Sequence, residues 1–309
     1  MRRGVLLAGS AYVLWGLFPL YFRLLQGVDA REVLGHRIVW SLVFLLGVLA
    51  LLGRWDWLGP ALRDRRTRGL FLGSALLIAC NWFTYIWAVG HGRVVESSLG
   101  YFITPLANVL TGWLVLKERL RPAQWGAVAL AAAGVLWLTV AQGTPPWIAL
   151  ILAASFSTYG LLRKTAPLGA LEGLTLETLM LGPVALVGLA WAALHGQATF
   201  VTAPAGLQGL LMATGPLTAV PLLLFAGGAR RIPLNVLGML QYIGPTIQLA
   251  LGVWLFGEPF AGARAHGFMI IWAACALFSA ELWWRSRQSG TLPAAPVPPS
   301  TPPVAPPSR

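Results

Sequence analysis

A small set of side chains in this 309-residue chain stands where chemistry is costly, inside long apolar runs. His36 and Arg37 share one run, Asn81 and Trp82 another, and Glu96, Tyr159 and Glu177 stand in three more. The stretch SSLGYFITPLANVLTGWLVLKE, residues 97–118, sets Tyr101, Thr104 and Asn108 around Pro105. A second stretch, LGMLQYIGPTIQLALGVWLFGE, residues 237–258, sets Gln241 and Tyr242 before Pro245. Each proline removes a backbone donor and disturbs the turn before it. A lipid-facing helix gains nothing from that. A helix lining a wet cavity gains a bend and polarised carbonyls beside its ligand. Amides, phenols and an indole in such a lining are equipment for holding a solute, not for breaking bonds. The competing reading is a packing kink whose polar groups bond to adjacent helices.

Ionisable groups within apolar spans are costly and functional by default. Arg37 and Glu96 lie at similar depth, which predicts an ion pair that closes one side of the cavity or opens to receive an anionic group. Depth argues against a bond between Arg37 and Glu177, each about 9 Å below opposite faces. Glu177 is expected to meet Arg230 or Arg231 instead. Glu118 and Glu258 end their runs and are expected to cap or anchor helices. His91, His195 and His266 show no ligand spacing, so neither metal nor cofactor is expected. Cys80 and Cys275 read as small buried side chains.

The elements that must position these groups follow from composition. Hydrophobic residues make up 57% of the chain and charged residues 10%, against about 25% charged in a soluble protein. Such a chain cannot cover itself with polar groups, and its outer surface must face lipid. The predicted fold is an all-α integral membrane protein with ten transmembrane helices. Their rough limits are 4–22, 33–52, 69–90, 95–116, 122–141, 146–163, 173–194, 206–228, 233–256 and 264–284. The first run reads as a retained signal anchor. With ten spans, 17 of the 22 basic residues fall on the side that holds both termini, and only Arg23, Arg31, Arg37, Arg93 and Arg264 on the other. Short basic clusters of this kind orient helices and make cytoplasmic termini the expectation. They form no single basic face, so nucleic acid is not an expected partner. From residue 286 onward eight prolines in 24 residues predict an extended, disordered tail.

The chain is also written twice. A shift of 140 residues lays Tyr101–Pro105 on Gln241–Pro245, Gly112 on Gly252, Glu118 on Glu258, Glu32 on Glu172 and Arg37 on Glu177. A shift of 144 lays Ser10–Gly16 near Ala154–Gly160. Five spans repeated make an inverted repeat, because an odd number returns the second copy from the opposite side. The expected units are residues 1–143, residues 144–285 and the tail 286–309.

The motifs AYVLWGLFPLYF (11–22), HRIVWS (36–41), NWFTYIWAV (81–89), ESSLGYFITPLANV (96–109) and QYIGPT (241–246) resemble the EamA group of the drug/metabolite transporter superfamily, RarD-type proteins most closely. The resemblance runs from about residue 4 to 285 and implies a 5+5 helix bundle in the bacterial inner membrane that exports small metabolites or drugs. Thr104 stands where the family leads one to expect asparagine, which places specificity in question at that position. The expected function is secondary transport of a small organic solute by alternating access. No Walker-type phosphate loop is present to supply ATP as the drive. Proton coupling through Glu96, Glu177 or His36 and uncoupled exchange both stay open. Two other classes are a lipid-processing membrane enzyme and a sensor or assembly subunit with the same bundle. The enzyme would need converging acids, metal ligands or a nucleophile with its base, and the scattered acids and histidines form no such set.

Overall fold

A computed structural model describes residues 2–117, 119–229, 231, 232, 236 and 239–289. Glu118, Arg230 and most of the Pro-rich tail lie outside the described residues. Those described form helices and turns, with no strand among them. In chain order the helices are α1 (Arg2–Arg23), α2 (Ala30–Leu52), α3 (Leu58–Arg63), α4 (Arg65–Gly90), α5 (Val94–Leu116) and α6 (Pro122–Gln142). They continue with α7 (Trp147–Thr165), α8 (Ala170–Leu194), α9 (Thr199–Thr202), α10 (Ala205–Ala229), α11 (Ile243–Ala250) and α12 (Ala263–Ser289). Eight of these are long and apolar enough to cross a membrane, and the apolar segments Trp147–Arg163 and Ile243–Leu255 are shorter.

Local sequence sets the ends. Asp29 caps α2 by accepting from the Arg31 amide at 2.8 Å, and Gly53 closes it with φ +63°. Asp64 accepts from the Thr67 amide at 2.9 Å and starts α4. Pro122 stands in the first turn of α6, where a missing donor costs nothing.

The two prolines of the paired stretches behave differently. Pro105 lies inside one continuous helix. Pro245 follows a turn at residues 241 and 242 that has helical residues on both sides, at 239–240 and from Ile243. The interruption falls one turn before the proline, where its missing donor would have reached. A second irregularity sits further on. Leu251–Leu255 winds as a π-helical turn, and the Phe256 amide reaches back to the Leu251 carbonyl at 2.9 Å.

Helices approach most closely through small residues, as they do where lipid supplies no hydrophobic drive. Gly100 on α5 lies against Ala149 and Leu152 on α7, and Gly134 on α6 against Ile271 on α12. Gly215 on α10 is pressed to the backbone of Trp40 and Ser41 on α2. Outward, Leu51, Trp254, Leu194 and Val140 are each at least 75% exposed, as a lipid-facing surface requires. Contrary to the sequence expectation, Cys80 belongs to that exposed surface, and only Cys275 is buried.

The contact at Gly215 yields a sharp test. A methyl there would meet main-chain atoms that cannot move aside, whereas one at Gly209 meets open space. Gly215→Ala should destabilise the detergent-solubilised protein by about 1–3 kcal/mol. Gly209→Ala should be neutral or stabilising by roughly 0.5–1 kcal/mol. Thermal unfolding of the two variants side by side reads the difference.

Candidate solute-binding site

The central feature is a buried cation in an aromatic setting. Arg37 leaves α2 toward α1, α4 and α10 and is 4% exposed. Its Nε–H donates to Thr218 Oγ1 at 2.8 Å. The guanidinium carbon lies 4.3 Å from the Trp82 ring centre, 5.5 Å from Phe22 and 5.8 Å from Phe18. Helical spacing makes this wall: Phe18 and Phe22 are one turn apart on α1, as Trp82 and Tyr85 nearly are on α4. Tyr85 extends the wall from Phe22 to Tyr101, with ring centres 5.9 Å apart on either side.

Asn81 ties the neighbouring helices together. Its amide donates to the Leu152 carbonyl at 3.1 Å and to Ser155 at 3.0 Å, both on α7, and its oxygen accepts from the Tyr101 hydroxyl at 3.3 Å. Thr104 donates back to the Gly100 carbonyl at 2.9 Å and is buried. Asn108, seven residues beyond Tyr101, is exposed.

The expected Arg37–Glu96 pair does not form. Glu96 pairs with Arg93 three residues before it on the same helix start and accepts from the Ile148 amide at 3.1 Å. A local partner outcompeted one on another helix. Of the partners expected for Glu177, Arg230 lies outside the described residues and Arg231 is engaged elsewhere. The two Glu177 oxygens accept from Ser74 at 2.6 Å and Tyr159 at 3.3 Å, and Arg163 Nη1 stands 3.9 Å away. Arg231 donates to its own Gly227 carbonyl.

Carboxylates tie distant segments together at one end of the bundle. Glu32 accepts from the Thr199 and Phe200 amides at 3.0 and 2.8 Å, and His36 lies against the Phe200 ring at 4.5 Å. Glu258 caps α5 as a cap was expected to, accepting from Val94 and Val95 at 2.6 and 2.8 Å. Burial pushes the Glu258 carboxyl above the usual carboxylate range, against the pull of those two donors. At the opposite end Arg54 pairs with Glu172 beside a vestibule of about 700 Å³ that Leu223 and Arg231 also line.

Gln241 and Tyr242 stand apart from the Arg37 group. Tyr242 stacks on Phe102 at 6.3 Å and, with Trp272 and Cys275, lines a lateral pocket of about 310 Å³ between α5, α11 and α12. Sequence reasoning missed Thr218, Phe18, Phe22, Ser74 and Arg163, while Tyr85 was expected with Asn81 and Trp82 along one wall. No spacing rule marks Thr218 or Ser74, since each follows the ordinary pattern of a hydroxyl inside a helix. The 140-residue correspondence of Glu32 and Glu172 was the available signal for the two ends. Among the described residues no cluster of histidines, cysteines and acids could hold a metal.

Comparison with known proteins places this geometry. Residues 2–140 match the model of the EamA-like transporter family. Protein RarD of Streptomyces exfoliatus is 46% identical over 288 residues, covering 93% of this chain and 91% of that protein. The uncharacterized transporter YojE of Bacillus subtilis (strain 168) is 46% identical over 299 residues, covering 93% and 98%. Protein RarD of Escherichia coli (strain K12) is 41% identical over 288 residues, covering 93% and 97%. A protein of known crystal structure, 21% identical, superposes with a TM-score of 0.55 over 89% of this chain and 96% of that one, and shares the fold. The apolar helices and these relatives make this a multi-pass membrane protein, and the chain belongs to the EamA-like transporter family in its RarD-type group.

Proposed function

We propose that this protein is a secondary transporter that carries a small organic solute across the bacterial inner membrane by exposing one central cavity to each side in turn. The reading includes ten spans in two inverted units of five, residues 1–143 and 144–285, with both termini in the cytoplasm and export as the direction. One observation carries it. Under the 140-residue correspondence α1, α2, α4, α5 and α6 are mates of α7, α8, α10, α11 and α12. The packing respects that exchange: α1 lies on α10 and α11, α7 lies on α4 and α5, and α2–α8 and α6–α12 meet as mates. A bundle built this way can rock one unit against the other about a fixed site.

Within this reading Arg37, Trp82, Asn81 and Tyr101 line the cavity. The Glu32 and Glu258 contacts close the periplasmic mouth, and the Arg54–Glu172 vestibule faces the cytoplasm. Glu177, buried with Ser74, Tyr159 and Arg163, is the inner counterpart of Arg37 and the site where a coupling proton would act. Among the described residues no nucleophile, base and acid converge, which disfavours an enzyme.

Three outcomes are expected. In a background of Cys80→Ser and Cys275→Ala, Arg2→Cys and Arg65→Cys should react with impermeant maleimide from the cytoplasmic side and Gln197→Cys from the periplasmic side. Labelling of Arg2→Cys and Arg65→Cys from opposite sides would refute the span count. In proteoliposomes a counterflow screen of metabolites and antibiotics should find exchange that Tyr101→Phe slows roughly two- to tenfold, the worth of its single bond to Asn81. Glu177→Ala strips Ser74, Tyr159 and Arg163 of a partner at once and should cost about 3–5 kcal/mol in thermal unfolding. Glu177→Gln with Arg163→Met should recover most of that loss.

A further inference from the structure

Arg37 carries five N–H donors, and among the described residues only Nε–H finds an acceptor, on Thr218. The four N–H groups of the terminal nitrogens are left over. Phe18, Phe22 and Trp82 meet the guanidinium within 6 Å of their ring centres, which stabilises its charge but accepts none of its in-plane hydrogens. The ring faces answer the charge but leave the terminal N–H groups without acceptors. That unmet demand calls for an anion.

Among the described residues the chain's own carboxylates do not supply it. Glu32 is occupied by the Thr199 and Phe200 amides, Glu96 by Arg93 and Ile148, Glu172 by Arg54, Glu177 by Ser74 and Tyr159, and Glu258 by Val94 and Val95. Two further donors nearby are unused. Among the described residues the buried Tyr85 hydroxyl has no partner, and neither has the Ser41 hydroxyl one turn along α2 from Arg37. Tyr85, Tyr21 and Tyr101 all stand within electrostatic reach of the guanidinium. Unfilled donors beside flat apolar faces describe a complementary ligand: oxygens that accept a guanidinium fork, carried on a body that stacks.

We propose that Arg37, Tyr85 and the Phe18–Phe22–Trp82 wall form the anion subsite of the carried solute, and that this solute is an organic acid with a flat, apolar body. The inference rests on the transport reading above and names its substrate class. The vestibule at the far end fits the same cargo. Arg54 and Arg231 outnumber Glu172 among its charged lining residues, and a basic mouth raises the local concentration of anions.

Two readouts on the full-length protein separate the subsite from the transport reading. Binding is read as thermal stabilisation in detergent by naphthalene-2-sulfonate, with neutral naphthalene-2-sulfonamide and cationic 2-naphthyltrimethylammonium as its matched controls. Flux is read as counterflow of the same three compounds in proteoliposomes. The sulfonate should stabilise and exchange, the controls should do neither, and Arg37→Gln should weaken binding at least tenfold, with Arg37→Lys between the two. Tyr85→Phe, which keeps the ring and removes only the unpartnered hydroxyl, should weaken it roughly two- to tenfold and serves if Arg37→Gln does not fold. Sulfonate binding indifferent to both substitutions, or binding and exchange of the controls alone, overturns the anion subsite and leaves transport standing. Sulfonate binding that depends on Arg37 with no flux of any compound upholds the subsite and overturns the transport reading.

Discussion

A charge withdrawn from water costs several kcal/mol unless something within reach answers it. That constraint organises the middle of this bundle. Glu177 is answered by two hydroxyls and a guanidinium at 3.9 Å, and Arg37 by one hydroxyl and three aromatic faces. The two residues correspond under the 140-residue shift yet carry opposite signs and have unlike surroundings. One is a polar nest that satisfies its acid from within the chain. The other leaves most of its donors open. Positions that match under the shift are therefore chemically unlike.

Carboxylates at the ends use another device. Glu32 and Glu258 each accept two successive backbone N–H groups from a distant segment, where helix starts have unfilled donors. Each contact links the first half of the chain to the second. At the opposite end the mate of Glu32, Glu172, takes a side chain instead of a backbone amide and borders open space. Backbone amides have one geometry to offer, while the long Arg54 side chain can follow its partner through some distance.

Much of this was legible before any coordinates. The run at 33–52 becomes α2 and the run at 264–284 becomes α12, each with a few polar residues added at an end. Continuous apolar sequence reports length and burial directly, so helices were easily found. Arg37 and Glu177 stood out because ionisable groups in such runs are rare. Their partners did not, because depth along the membrane normal leaves rotation about each helix axis open. Glu96 shares a depth with Arg37 but faces Arg93, since a partner three residues away on the same helix start needs no tertiary alignment. Pro105 and Pro245 match in sequence but not in effect: the helix runs on past Pro105 and is interrupted one turn before Pro245. A proline forbids one hydrogen bond, and whether the helix breaks there depends on the packing around it. The four-residue α9 and the π-helical turn have no periodicity long enough to read.

That π-helical turn has a mechanical meaning. A π turn accommodates one more residue than an α turn, and it lies between α11 and Glu258. Rewinding Leu251–Leu255 as ordinary α-helix would swing everything downstream by about 100° around the axis. Glu258 would then point away from Val94 and Val95, and α5 would lose the acceptor for its first amides. A single surplus residue of winding thus works as a phase adjuster, setting whether that carboxylate addresses its neighbour or the lipid.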